Sequence, residues 1–552
     1  MKKGLFILIA TLLVAVLALG ACSKTTPTTT TVPVITTTTA ATTTVVPKPT
    51  TTTPAVTTTP AATTVTPKYG GVLRLSRFTS EGPSVGDPAK HAGMNSYYEA
   101  TPCLETLLRA DASGALIPWL ATGWKEDVAN KSITLTIRQG VKFHDGTPFD
   151  AEAVRWNLQN RMDAKMAAMK MFASVAATDN YTVVIKLASW DSTIEGNLAS
   201  GPGMMISPTN YTKNGADYAA NNPVGTGPFV FKSWQKGSVI TYDRNPNYWQ
   251  KGKPYLDEIQ WQTVPDMNTK AMSFMAGELD VVMTMDLPQI QSINAAGFTT
   301  LHQVIGSGAD GFVFSSANAS SPWSNLKVRQ AAMYAFNAAE YTTALFGNEA
   351  APANQMVGVS SWAYNKDVVG YPYNLDKAKQ LMKDAGYADG FKSVIYGSQD
   401  PTTNKRALAV QAYLAKIGIT LDVQIISTAQ LMQMYSQGVG WEGLIGDSLG
   451  QSTDVVDTMN RYYAGGGLMF ASMATPPDYL QLIKDAVAAP DFATKQLKSQ
   501  ALMKMTTDTY CLIMTQDTRF DNGFEQKYIR NSGILKSVNT QMWTPEDCWI
   551  DK

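Results

Sequence analysis

Residues 138–154 read RQGVKFHDGTPFDAEAV, and the order of element types in and around this stretch decides the fold. The preceding run, KSITLTIR at 131–138, alternates apolar and polar residues as a half-buried strand does. Gly140 to Pro148 then supply turn residues. Asp150 stands where a helix N-cap belongs, and Val154, Leu158 and Met162 recur at a spacing of four, which predicts an amphipathic helix. Between strand and helix, KFHDG sets His144 beside Asp145 in a glycine-bounded loop read as exposed. The pair is a catalytic couple, a metal half-site or a turn. With no third ligand and no nucleophile nearby in sequence, the turn is preferred. His91 and His302 lie at no ligand spacing from His144 or from each other, so no metal site is expected.

The same alternation continues downstream. Asp376 is expected to cap a helix over 375–387, LDKAKQLMKDAGY, with Ala378, Leu381, Met382 and Ala385 on one face and Gly386 closing it. A second helix over 405–416 ends at Gly418, after which Ile419, Leu421, Val423 and Ile425 alternate as a strand. Helices and strands in this order predict an α/β chain wrapped in βαβ fashion. At 552 residues it is too long for one ordinary domain, so two or three structural units are expected.

Charge excludes one large class of partners. Lys plus Arg equal Asp plus Glu at 45 each, so a polyanion such as nucleic acid is not the expected target. The charged fraction, 16%, is low against roughly 25% in average chains, while aromatics reach 10%. Such a surface suits neutral or mixed solutes.

The N-terminus carries an address. Lys2 and Lys3 precede an apolar run over 5–19, shorter than the roughly 18 to 20 residues needed to span hydrocarbon, which predicts a secretory signal rather than an anchor helix. The LGAC at 19–22 resembles the bacterial lipobox, which implies that residues 1–22 form a lipoprotein signal and that Cys22 is diacylated, giving stable membrane attachment. From 23 to 68 about half of the residues are threonine, and the rest are mostly Pro, Val and Ala. That composition buries too little apolar surface to offset chain entropy, so a disordered tether is expected. Flexible-chain scaling gives it roughly 40 Å of reach. Once Cys22 is lipidated, Cys103, Cys511 and Cys548 remain, enough for at most one bridge. Either Cys511 and Cys548, both near the C-terminus, are paired, or all three are isolated buried thiols.

Several stretches together resemble one family. Besides 138–154 they are PKYGGVLRLS at 67–76, ETLLR at 105–109, NPVGTGPFVF at 222–231, RNPNYWQKGKPYLDEI at 244–259, AGELD at 276–280, KVRQAAMYAFN at 327–337 and the helix at 375–387. In this order they resemble the family-5 extracellular solute-binding proteins, the oligopeptide, dipeptide and nickel-binding components of bacterial ATP-driven (ABC) importers. The resemblance covers about 67–425, with the remainder matching loosely. It implies an α/β, two-lobed, periplasmic-binding-protein-like (type II) fold with an extra inserted domain. Lobe I would take 69–112, 225–311 and 515–552, the inserted domain 113–224, and lobe II 312–514, with the two connections between lobes acting as a hinge. It further implies a monomer that hands its solute to ABC permease subunits and needs no cofactor or metal.

For the ligand the resemblance is less specific. A peptide is the first expectation, with a nickel chelate, an oligosaccharide or another small solute as alternatives. Peptide binders of the family place an aspartate after a tryptophan in the second lobe to hold the peptide ammonium. Here Trp441 is followed by GLIGDSLGQSTDVVDTM at 443–459, which offers Asp447 first and Asp454 second. Tyr97, Tyr98, Trp441 and Phe312 are candidate cavity-wall residues, because aromatic rings offer area at little rotamer cost.

Two enzyme-like patterns compete with this reading. GDSLG at 446–450 satisfies G-x-S-x-G, but a nucleophile elbow needs its histidine after the serine, and the last histidine, His302, precedes Ser448. A secreted serine hydrolase is therefore a remote alternative. GSGADG at 306–311 satisfies G-x-G-x-x-G, yet the following FVFSS reads as a strand, whereas a dinucleotide site needs a helix there. No catalytic residue is expected.

Overall fold

The computed structural model describes residues 66–78, 80–90, 94–111, 114–304, 308–398, 401–436, 440–449, 454–464, 470–535, 543 and 545–552. Cys22, the tether up to residue 65 and His91 lie outside them. The part from Val65 to Lys552 forms one unit.

A large mixed sheet organises it. The strand Val72–Ser76 lies parallel between Glu258–Gln262 and Val281–Met283, with Leu73 and Leu75 fully buried. Val239–Arg244 and Phe229–Gln235 extend this half antiparallel. In the other half Phe391–Ser398 runs parallel to both Ile419–Ile426 and Leu444–Leu449. One 13-residue strand, Ile513–Glu525, joins the halves: its end pairs with Val281–Met283 and its start with Ala309–Phe314. Chain therefore enters the second half at Ala309–Phe314 and returns along the long strand, so the two elements that connect the lobes are hydrogen-bonded to each other.

Ala309–Phe314 is buried on both faces, as a central strand between two helical layers must be. Phe312 and Phe314 point into a core formed with the helices Leu326–Ala335, Leu375–Asp384 and Pro401–Ala415. Val313 points the other way, to a core with Val455–Tyr462, Pro477–Val487 and Phe492–Lys504.

The opening stretch folds as strand, turn and helix. Ser132–Ile137 pairs antiparallel with Ala121–Asp127 and Thr182–Leu187, and Phe172–Asp179 completes a four-stranded sheet with its own core. The helix Ala151–Asp163 begins at Asp150, whose carboxylate accepts the Ala153 amide at 2.9 Å. Val154 and Leu158 are buried, and Met162 is half-buried at the edge of the same core.

One expectation needs correction, and one open alternative is decided. The helix at 375 is capped by Asn374, whose side chain accepts the Lys377 amide at 2.9 Å, and Asp376 lies inside the first turn, where its charge faces the helix dipole favourably. Asn and Asp cap equally well, so composition could not rank the two positions. Cys511 and Cys548 are thiols in different cores, the one with Phe312 and Met382, the other with Leu73 and Trp543, so no bridge joins them.

Candidate functional site

The His144–Asp145 turn is a structural pin. Gly146, at φ +85, allows the tight return, and the His144 amide donates to the Gly225 carbonyl at 2.8 Å. Its Nε2–H donates to the Gly227 carbonyl at 2.9 Å, which leaves Nδ1 bare and facing Cys103 Sγ at 3.6 Å. Burial drives the ring's pKa down to about 4, and burial pushes the Cys103 thiol up to about 12. A neutral imidazole beside an un-ionised thiol is neither a nucleophile nor its base. The histidine expected to be exposed is therefore half-buried, because its loop is clamped onto the Gly225–Gly227 segment that leads into the strand Phe229–Gln235.

Glu105 is a second pin, unrecognised in the sequence because its partners are distant. Its Oε1 accepts Trp119 Nε1–H and Tyr248 O–H, each at 2.8 Å, and its Oε2 accepts Thr226 O–H at 2.8 Å and Trp249 Nε1–H at 3.0 Å. Arg109 stacks on Trp119, 3.3 Å from the ring centre, and pairs with Glu546 at 2.6 Å. Three of the quoted stretches, ETLLR, GTGPF and RNPNYW, thus converge on one buried carboxylate, and their job is to dock the inserted sheet onto lobe I.

The aromatic residues singled out divide between core and boundary. Tyr98 is 2% exposed, with its ring under the Arg77 guanidinium at 4.0 Å and beside Trp261. Phe312 is 1% exposed and lies against Gly446 on the neighbouring strand. Both are core residues here rather than cavity wall. Tyr97, a 100° step round the helix from Tyr98, is half-buried at the boundary. Its ring covers Gly201 so closely that a Cβ there would meet Cε1 at 2.1 Å. Burial raises its hydroxyl pKa, with Arg161 and Arg461 opposing. Trp441 packs edge-on against Phe470 at 6.0 Å, and its buried indole N–H has no hydrogen-bond partner among the described residues. Asp447 sits within the strand Leu444–Leu449, opposite Gly311; its side chain and that of Ser448 lie outside the described residues. Because Ser448 is inside a strand paired with Ala309–Phe314, its backbone is not the strand-to-helix elbow that a hydrolase of that type needs.

Charges concentrate where the inserted domain meets lobe II. Asp454 caps the helix Val455–Tyr462 through the Val456 amide at 2.9 Å and pairs with Lys495. The Lys495 ammonium also donates to the Ser192 carbonyl, across the boundary. Trp190 Nε1–H and the Ser192 amide donate to the Ala489 and Val487 carbonyls at 2.8 and 2.9 Å. Asp457 pairs with Arg461, and burial raises its pKa to about 6. Beside these contacts lies a cavity of about 240 Å³ whose walls include Leu116, Trp124 and Glu195 from the inserted domain and Trp362, Phe492 and Lys495 from lobe II. Asp454, second choice from the sequence, lines it. Among the described residues no group of three or more His, Cys, Asp or Glu is placed to hold a metal ion.

Two halves connected by hydrogen-bonded strands, with a four-stranded sheet that has a core of its own, make a two-lobed α/β architecture. Residues 115–469 match the family model described as bacterial extracellular solute-binding proteins, family 5 Middle, and the chain belongs to that family, the substrate-binding proteins of ABC importers. The chain is 32% identical over 362 residues to the glutathione-binding protein GsiB of Salmonella paratyphi A, covering 64% of this chain and 69% of that one. Its fold is similar to the periplasmic binding protein DppA of Helicobacter pylori in complex with the peptide STSA, with a TM-score of 0.73, 22% identity, and coverage of 88% and 99% of the two chains. It is similar also to the substrate-binding protein CtaP of Listeria monocytogenes, with a TM-score of 0.77, 18% identity, and coverage of 88% and 100%. The expected two-lobed α/β fold is thereby established, and membership of a binding family assigns this chain capture rather than catalysis.

Proposed function

We propose that this chain is a lipid-anchored receptor that captures a peptide between its lobes, as a monomer, and presents it to an ABC permease. The observation that carries the reading is the boundary itself: the pairs Asp454–Lys495 and Asp457–Arg461 set both signs of charge on the face of lobe II that meets the inserted domain, and Lys495 reaches across it to the Ser192 carbonyl. A zwitterionic solute with an amide backbone requires both signs of charge. The relative named for glutathione binding and the structural neighbour holding STSA support the same class of ligand. The signal at 1–22, acylation of Cys22 and the tether at 23–68 supply the attachment, which places the receptor at the cell surface or in the periplasm.

Asp447 is our choice for the partner of the peptide ammonium, since Asp454 already caps a helix and pairs with Lys495. Native mass spectrometry of the purified chain identifies the captured solute. Calorimetry with that peptide and its N-acetylated form, on wild type and Asp447→Ala, then tests the contact. Removing one member of a buried pair costs about 3 to 5 kcal/mol, a loss of roughly a hundredfold or more. The two losses should not add, because both delete one interaction; additive losses, or equal affinity for both peptides, would remove Asp447 from the site.

A further inference from the structure

The cavity between the inserted domain and lobe II has a chemistry of its own. At about 240 Å³ it falls below the roughly 300 to 1,000 Å³ of sites for drug-sized ligands, so it fits one side chain or a small molecule. Trp124 forms part of one wall, and Trp362 with Phe492, ring centres 5.3 Å apart, part of the other. Four carboxylates, Glu126, Glu195, Asp454 and Asp491, face it against a single cation, Lys495.

These charges are not equally available. Lys495 is held by Asp454 and the Ser192 carbonyl, and Asp491 caps the helix Phe492–Lys504 through the Thr494 amide at 2.7 Å. Glu195 differs: it is 5% exposed, and its Oε1 has no hydrogen-bond partner among the described residues. A buried acceptor left in this state carries a desolvation cost that a ligand donor would relieve. Burial is also the main reason its pKa rises to about 8, with Glu126 adding to it. The net negative lining rejects an anion, and the indole and phenyl faces favour a cation or the apolar stem behind it.

We propose that this cavity binds an organic ammonium group, its charge on Glu195 and its stem between Trp124 and Trp362. The inference rests on the reading of the chain as a solute receptor but not on the solute being a peptide. Because the walls come from two parts of the fold, such a ligand also bridges the inserted domain to lobe II and favours the arrangement in which they touch.

The test uses the full chain with n-pentylammonium chloride and, as the uncharged control, 1-pentanol, read by tryptophan fluorescence and calorimetry. Pentylammonium should bind at least about tenfold more tightly than pentanol, and Glu195→Gln should remove that advantage. Trp362→Leu should weaken both probes, and thermal melts establish that each variant is folded. Equal binding of the two probes, or unchanged pentylammonium affinity in Glu195→Gln, would overturn the proposal. If wild type carries a captured solute in native mass spectrometry yet ignores pentylammonium, the amine site fails and the capture reading stands. Pentylammonium binding sensitive to Glu195→Gln in a chain that captures no peptide upholds the site and counts against the peptide.

Discussion

Arg406 ties together the two strands that connect the lobes. Its Nη2 reaches Asp310 Oδ2 at 2.5 Å on Ala309–Phe314 and Asp517 Oδ2 at 3.0 Å on the long strand, and Tyr341 O–H donates to Asp517 at 3.0 Å. The three charged side chains are 7%, 6% and 0% exposed. Burial alone would lower the guanidinium pKa, but Asp310 and Asp517 hold it above its ordinary value. Arg406→Met keeps much of the stem and leaves two buried carboxylates side by side without their cation. Breaking such a pair costs about 3 to 5 kcal/mol. At roughly 2 to 4 °C per kcal/mol for a cooperative unit of 150 to 250 residues, lobe II should melt about 6 to 20 °C lower. Urea unfolding followed by circular dichroism measures the loss directly. The triple variant Arg406→Met, Asp310→Asn, Asp517→Asn should recover much of it, because the uncompensated charges are gone. A loss below about 1 kcal/mol, typical of a surface pair, or a triple variant no more stable than the single one, would refute the claim that this triad clamps the crossing strands.

Four further outcomes follow from the geometry. Glu99 and Glu195 have folded pKa values of about 8 against an ordinary 4.5, mainly through burial, so the fold binds protons that the unfolded chain has released; their stabilisation is complete below pH 4.5 and gone above about pH 8. Chemical denaturation across that window should show stability falling with pH, and Glu99→Gln with Glu195→Gln should flatten the slope. Glu105→Ala strips four donors of one acceptor and should cost more than about 3 kcal/mol by urea unfolding, with Glu105→Gln recovering part. Gly201→Ala drives a Cβ into the Tyr97 ring and should cost about 1 to 3 kcal/mol, less when Tyr97→Ala is added. Cys22→Ala should incorporate no radiolabelled palmitate in the producing cell, and normal labelling would remove Cys22 as the acyl acceptor.

Elements with a local cause were legible in the sequence. Asp150 and its helix, the strand from Ser132 to Ile137, and Gly386 at φ +84 after its helix follow from caps, alternation and a left-handed turn that composition alone announces. Contacts over long separations were not. Glu105 meets Trp249 from 144 positions away and Lys495 meets Asp454 from 41, and no periodicity encodes either. The aromatic candidates show the same limit at short range. Tyr97 and Tyr98 are adjacent and chemically alike, yet one faces the boundary and the other the Trp261 core, since direction is set by the helix's placement and not by residue type.

Landmark stretches and the lining of the boundary cavity are therefore written in different places. The FHDG turn, ETLLR, GTGPF and RNPNYW all serve to fasten the inserted domain to lobe I, through His144 to Gly225 and Gly227 and through Glu105 to its four donors. Neither His144 nor Glu105 lines the boundary cavity. Its walls come instead from segments with no motif: Trp124 on a strand, Glu195 on a short helix, Trp362 in a loop and Lys495 on a helix of lobe II. A docking carboxylate such as Glu105 must keep its four donors or lose several kcal/mol, whereas no hydrogen bond among the described residues engages Glu195 Oε1. It follows that Glu195→Gln should remove the proposed ammonium binding and leave the urea midpoint at pH 5 near that of wild type, while Glu105→Ala should lower the midpoint without acting on the cavity.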